Sequence, residues 1–284
     1  MEQALLIVWR ESVEALLVIG LLYAWLKRQQ ERHRYTHLLW LGVLGGITLA
    51  VALAALMVLA GSWMSGEAGE WFQAAMCATA SVLILQMVIW MRHNGRELRG
   101  SLEERAEHAL DQSRRSGLVA LVAIAVAREG SEIAIFLYGS AGSTSASGML
   151  LGAGLGALLG ALSFALLQLG SRMMDWRRFF AISEILMISL GGAMLMNALD
   201  RATGQLMGMD LPDQFYGWLG DPVWDSSAWL DDGSSVGGMI AGLTGYRAMP
   251  SILSVALLAG FWTLAYCWRR TPRQYRQGAP RGLV

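Results

Sequence analysis

Trp9-Arg10-Glu11-Ser12-Val13-Glu14 opens an apolar run that continues over residues 15–26. A second stretch, Ala127-Arg128-Glu129-Gly130-Ser131-Glu132, has apolar residues on both sides. Each sets one arginine and two glutamates inside a segment that otherwise reads as membrane-spanning. An ionisable side chain at that depth costs about 2.5–3.5 kcal/mol on insertion scales. Three together persist in lipid if they face one another or a hydrated cavity. The long apolar runs in the rest of the chain have to be arranged around these two stretches.

Helical positions three and four apart share a face. Glu11 and Glu14 therefore point the same way, and so do Glu129 and Glu132. Arg10 precedes Glu14 by one turn, and Arg128 precedes Glu132 by one turn, so each arginine reaches its own second glutamate. Where the two helices cross, four carboxylates converge. Such oxygen donors suit hard or borderline cations. The competing reading is two internal ion pairs that pin helix to helix. Against it, each stretch carries more acid than base, and buried ion pairs are weak stability devices.

The 284 residues are 55% apolar and 15% charged, well outside the usual soluble range. Apolar runs of about 20 residues recur, the length that crosses a hydrocarbon core. Two cysteines, Cys77 and Cys267, give no disulfide framework. The N-terminus lacks a basic region before its first apolar run, so that run is read as a retained span.

Seven spans follow, at about 4–26, 38–60, 72–91, 118–138, 149–169, 182–199 and 252–268. The segments after spans one, three, five and seven are rich in arginine. Those after two, four and six are acidic or neutral. This alternation puts the N-terminus outside and the C-terminus, with its basic tail at 269–284, in the cytoplasm. The longest charged stretch, 92–116, is expected to hold a short solvated helix around 102–112. The fold class is an all-α integral membrane protein forming one transmembrane domain.

The two charged stretches are separated by 118 residues, counted from Arg10 to Arg128, and Val8/Val126 is a further identity at that offset. Three spans per unit make the second unit (118–199) inverted relative to the first (4–91). Inverted repeats with a site near the midplane are common in secondary transporters. Span seven stands outside the repeat. In span five, Gly148, Gly152, Gly156 and Gly160 recur every four residues beside Gly154, a smooth stripe for close helix approach. The 200–248 segment is read as an outer loop. Its aspartates, Asp225, Asp231 and Asp232 among them, would concentrate cations at an outer mouth, and its tryptophans suit a membrane interface. Residues 236–243 are read as a short surface or re-entrant helix.

Other positions carry less. His33, His37, His93 and His108 fall in cytoplasmic loops or at their borders. Met194-Leu195-Met196 and Met207-Gly208-Met209 suggest a soft-metal path, although apolar packing explains them as well. Glu184, near the cytoplasmic end of span six, is the exit-side candidate. Phosphate-binding glycine loops, zinc-protease and paired-cysteine signatures and nucleic-acid motifs are not found.

Arg10-Glu11-Ser12-Val13-Glu14 and Arg128-Glu129-Gly130-Ser131-Glu132 resemble the paired R-E-x-x-E motifs of the iron permease family, typified by the yeast high-affinity iron permease and its bacterial relatives. Ser12 departs from the glycine more usual in the first motif. Pro222-Val223-Trp224-Asp225-Ser226-Ser227 and Gly245-Tyr246-Arg247-Ala248-Met249-Pro250 are similar to the bacterial branch. The acidic D-A-S-E motif of the fungal outer loop is not found; Asp231-Asp232 is a loose substitute. The resemblance implies a seven-span permease of a bacterial inner membrane, with iron as transported substrate and no cofactor. It also implies a periplasmic iron-binding protein and a haem peroxidase-like or ferroxidase partner.

The expected metal ligands are Glu11, Glu14, Glu129 and Glu132, with Arg10 and Arg128 supporting them. Rival readings are a proton-coupled carrier of another cation, an intramembrane metalloenzyme and a structural scaffold. The lack of histidine inside the spans counts against the metalloenzyme. A cysteine placed at Ser226 is expected to react with an impermeant thiol reagent added outside, and one at Ser113 is not. The reverse pattern contradicts this orientation.

Overall fold

The computed structural model describes residues 1–28, 35–64, 66–94, 100, 104, 106–107, 115–141, 145–169, 176–209 and 212–270. Nine helices are described in full: α1 (Glu2–Arg28), α2 (Thr36–Trp63), α3 (Glu67–Asn94), α4 (Arg115–Ser140), α5 (Ala146–Leu169), α6 (Trp176–Met207), α7 (Asp213–Leu219), α8 (Ser235–Thr244) and α9 (Ile252–Arg270). The described residues contain no strand. The basic segments at 29–34, 95–99, 170–175 and 271–284 lie outside them, as does most of the expected helix at 102–112.

Helix ends follow charge. Glu2 sits in the first turn of α1 and Lys27 and Arg28 in its last; Glu67 and Glu70 open α3. Each places its sign against the complementary end of the helix dipole. α8 starts at Ser234, whose hydroxyl accepts a hydrogen bond from the Gly237 amide at 3.0 Å. It stops at Gly245, whose φ of 79° suits a residue without Cβ.

α2, α3, α5 and α6 are long and apolar enough to cross a membrane. Large apolar side chains face outward from them, as Leu44, Val51, Leu150 and Leu158 do. That is the surface expected against lipid rather than water. α1 and α4 are of similar length and carry the motif charges within otherwise apolar sequence.

Two expectations are corrected. Residues 200–207 continue α6 instead of starting the outer loop. The Thr203 hydroxyl donates to the Leu199 carbonyl at 2.9 Å, and Arg201 pairs with Glu70 of α3 at 2.7 Å, so the extra turns are tied down. Between spans two and three, α2 runs to Trp63 and α3 begins at Glu67. The expected loop there shrinks to residues 64–66, with φ of 68° at Gly66.

α1 packs along α5, α2 along α4, and α3 along α6. Glycines set the first two seams. Gly42 and Gly46 of α2 press on Val122 and Val126 of α4 and on the carbonyls of Val119 and Ala123. Gly152 and Gly156 of α5 press on Ala4 and Val8 of α1 and on the carbonyls of Met1 and Leu5. One turn on, the glycine stays on α5 in one seam and passes from α2 to α4 in the other. Gly160 of α5 meets Ser12, and Gly130 of α4 meets Ala50 of α2. Contact for contact, the two seams match. Association inside lipid rests on such close packing, because lipid is as apolar as leucine.

Two apolar clusters bracket the motif residues along α1 and α4. One joins Leu22 and Leu26 of α1 to Leu39 of α2 and Leu118 and Val122 of α4; Ala106 is buried within it. The other joins Ile7 of α1 to Ile84 of α3, Phe136 of α4, Met194 of α6 and Phe261 of α9.

The seams make a direct prediction. Gly46→Leu or Gly156→Leu forces a branched side chain into neighbouring backbone and should destabilise the purified protein by about 1–3 kcal/mol. Gly154 faces open space, so Gly154→Leu should leave the thermal midpoint in detergent nearly unchanged. Equal losses at all three positions would contradict this packing.

Candidate functional site

α1 and α4 are in contact, and the two motifs come together. Carboxylate oxygens of Glu11, Glu14 and Glu129 lie within 4.8 Å of one another. Two oxygens on opposite sides of a cation, each bound at about 2.0–2.6 Å, stand no more than about 5 Å apart. The three therefore match the spread of a single coordination sphere. Glu11 is fully buried, and Glu129 and Glu132 nearly so.

Each motif arginine pairs within its own helix. Arg10 lies 2.7 Å from Glu14 and 3.0 Å from Glu11. The Glu14 contact is close in distance but not aligned as a hydrogen bond, since Glu14 Oε1 has no hydrogen-bond partner. Arg128 donates from Nε to Glu132 Oε1 at 3.1 Å. Glu129 takes part in none of the ion pairs among the described residues. One buried oxygen on each of the four motif glutamates has no hydrogen-bond partner there: Glu11 Oε2, Glu14 Oε1, Glu129 Oε2 and Glu132 Oε2. Burying an unsatisfied acceptor is costly, and here all four motif glutamates bear one, although Glu132 is not among the three whose oxygens lie within 4.8 Å.

The two arginines are not equivalent. Arg10 is 3% exposed, whereas the Arg128 side chain is 43% exposed. A third helix accounts for much of the difference. Nη1 of Arg10 stands 2.7 Å from Met87 Sδ, and its Nη2 stands 3.6 Å from Met91 Sδ. The Arg128 guanidinium stacks over the Trp90 ring at 4.9 Å. Met87, Trp90 and Met91 share one face of α3. Sequence reasoning did not single out these three. Their spacing was visible, but apolar residues at helical spacing occur on any span. The methionines it did name behave differently: Met194 and Met196 are core residues, and Met207 and Met209 are exposed.

The outer-mouth aspartates divide. Asp231 and Asp232 line one cavity of about 310 Å³ with Asp200, Ser227 and Arg247. Asp225 is not part of that lining. Its Oδ1 accepts from the Ser227 hydroxyl at 2.6 Å and the Ser227 amide at 2.9 Å, bonds that hold its carboxyl below the usual carboxylate range. A neighbouring cavity of about 360 Å³ is lined by Glu70, Asn197, Asp200 and Arg201, among others. Arg247 ties the two together, 2.6 Å from Asp200 and 2.9 Å from Asn197 Oδ1. Glu184 sits half-buried on α6 and does not belong to the carboxylate cluster.

Comparison with known proteins places the chain in a family. The Iron permease FTR1 family matches residues 1–269. Ferrous iron permease EfeU of Escherichia coli O157:H7 is 29% identical over 254 residues, covering 89% of this chain and 89% of that protein. The protein of the same name from Shigella sonnei (strain Ss046) gives the same figures. That from Yersinia pestis is 26% identical over 254 residues, covering 89% of this chain and 87% of its own length. No solved structure matches. The family and these relatives are permeases, not enzymes. The chain is thus a member of the FTR1 iron permease family.

Proposed function

We propose that this chain takes up ferrous iron across a bacterial cytoplasmic membrane through a carboxylate site made by Glu11, Glu14, Glu129 and Glu132. The observation that carries this reading is the convergence of three carboxylates within 4.8 Å. The unsatisfied oxygen on each of the four glutamates adds to it. The relatives' name supports iron in its ferrous state. Carboxylate oxygens would exchange for water ligands of the ion, and Arg10 and Arg128 would lower the net charge in its absence. A membrane potential of 100 mV contributes about 2.3 kcal/mol per charge moved fully across.

The reading includes seven spans, α1 to α6 and α9, with the N-terminus outside. It also includes a 3+3 inverted repeat. The matched seams support the repeat, since α1 against α5 corresponds to α4 against α2 on exchanging the two halves. The contacts on α1 and α4 keep the offset of the motifs, Val8 to Val126 as Arg10 to Arg128. The apolar clusters above and below the motifs would act as gates that part in turn. The cavity at Asp231 and Asp232 would face the periplasm. There the iron-binding and haem peroxidase-like partners implied by the resemblance would deliver the ion, and Glu184 would serve its exit.

The intrahelical pairs Arg10–Glu14 and Arg128–Glu132 favour a scaffold reading to some extent. Glu129 does not fit it, because no arginine among the described residues pairs with it.

In proteoliposomes, each single Glu→Gln change should cut iron uptake, on the order of 10- to 100-fold. Second changes should add little, as groups acting as a unit are non-additive. Glu→Asp should fail too. Arg10→Lys and Arg128→Lys should be damaging but less uniform, because lysine keeps charge and loses the planar fork. A folded Glu11→Gln/Glu129→Gln variant that transports at the normal rate would refute the site. At the outer mouth, Asp231→Asn/Asp232→Asn should raise the apparent KM with little change in maximal rate. That effect should fade at high salt, since exposed charges are screened over about 8 Å at physiological ionic strength. Lost maximal rate at unchanged KM would instead make the loop a gate.

A further inference from the structure

The Arg10 guanidinium is held by four electron-pair donors from two helices. Glu11 Oε1 lies 3.0 Å from Nη1, and Met87 Sδ lies 2.7 Å from the same nitrogen. Glu14 Oε1 lies 2.7 Å from Nη2, and Met91 Sδ lies 3.6 Å from it. Met87 is 3% exposed. A thioether is a weak hydrogen-bond acceptor, so two of them are a poor choice for satisfying a buried arginine. Carbonyl or hydroxyl oxygens would do that better. As metal ligands, thioethers are soft donors that discriminate against hard ions.

We propose that the Arg10 guanidinium is a tethered stand-in for the transported cation, and that the Fe(II) which displaces it takes Met87 and Met91 as sulfur ligands beside Glu11 and Glu14. This rests on the carboxylate site proposed above and adds the donor set that selects the ion. Charge balances across the exchange. Fe(II), Arg10 and Arg128 together carry four positive charges against the four negative charges of the motif glutamates, so the guanidinium can leave its nitrogens' places to the ion without leaving the site. The mixed oxygen and sulfur set favours Fe(II) over harder ions such as Fe(III) and Mn(II). The face of α3 that carries both methionines also carries Trp90 against Arg128, so one helix face handles both motif arginines.

The test uses Met87→Leu/Met91→Leu, which keeps volume and removes the donors. Fe(II) uptake into proteoliposomes is measured against increasing Mn(II). In the wild type, Mn(II) should compete weakly. In the double variant, with its thermal midpoint retained, the preference for Fe(II) should fall by about 10-fold or more, the scale on which altered metal surroundings act. An unchanged preference in the folded variant overturns the proposal. X-ray absorption at the iron edge of Fe(II)-loaded wild type decides the matter even if the variant does not fold. A sulfur shell beside oxygen is expected. An oxygen-only shell overturns the thioether ligands and leaves the carboxylate site standing, whereas wild type that binds no iron overturns both.

Discussion

A buried carboxylate without a counter-charge is the constraint around which this molecule is built. Lipid offers nothing to solvate an anion. Two arginines among four glutamates leave the pair of motifs with more acid than base. Arg10 is shared between Glu11 and Glu14, and Arg128 serves Glu132. Glu129 is left over. The helices are held close enough to sustain that arrangement by the glycine seams, which fix α1 on α5 and α4 on α2. Apolar clusters lie on either side of the motifs along α1 and α4.

The two seams are alike and the two arginines are not. Matching contacts along α1 and α4 give the halves a common backbone frame, yet Arg10 is enclosed and Arg128 is partly open. α3 breaks the balance by offering Met87 and Met91 to one arginine and Trp90 to the other. Under the proposed inverted repeat, such asymmetry is what one of two alternating states would show. In the other state the two arginines would exchange environments.

Much of the helical order was legible from the chain, because an apolar run of about 20 residues has few other uses. The one-turn spacing of Arg10 to Glu14 and of Arg128 to Glu132 announced the pairs, since that distance is a property of the helix itself. The end of α6 was misread at Asp200. A charged residue usually marks the edge of a span, but here Arg201 and Asp200 are held by Glu70 and Arg247 from distant parts of the chain. The aspartates of the outer segment looked alike in sequence, although Asp225 is engaged in its own turn while Asp231 and Asp232 line a cavity. The α3 face was illegible for a similar reason. A methionine in a span becomes informative once its neighbour across the seam is known to be an arginine.

The central claim is that the buried anionic excess is retained for an ion rather than for the fold. It is tested most directly by the thermal midpoint of the purified protein with and without Fe(II), in wild type and Glu129→Gln. An ion that binds the folded state raises the midpoint. The account predicts a clear rise for wild type. For Glu129→Gln, removing an unpaired buried charge should leave the ion-free midpoint equal or higher, and Fe(II) should no longer shift it. A variant that is less stable without iron, yet still stabilised by iron as wild type is, would contradict the account.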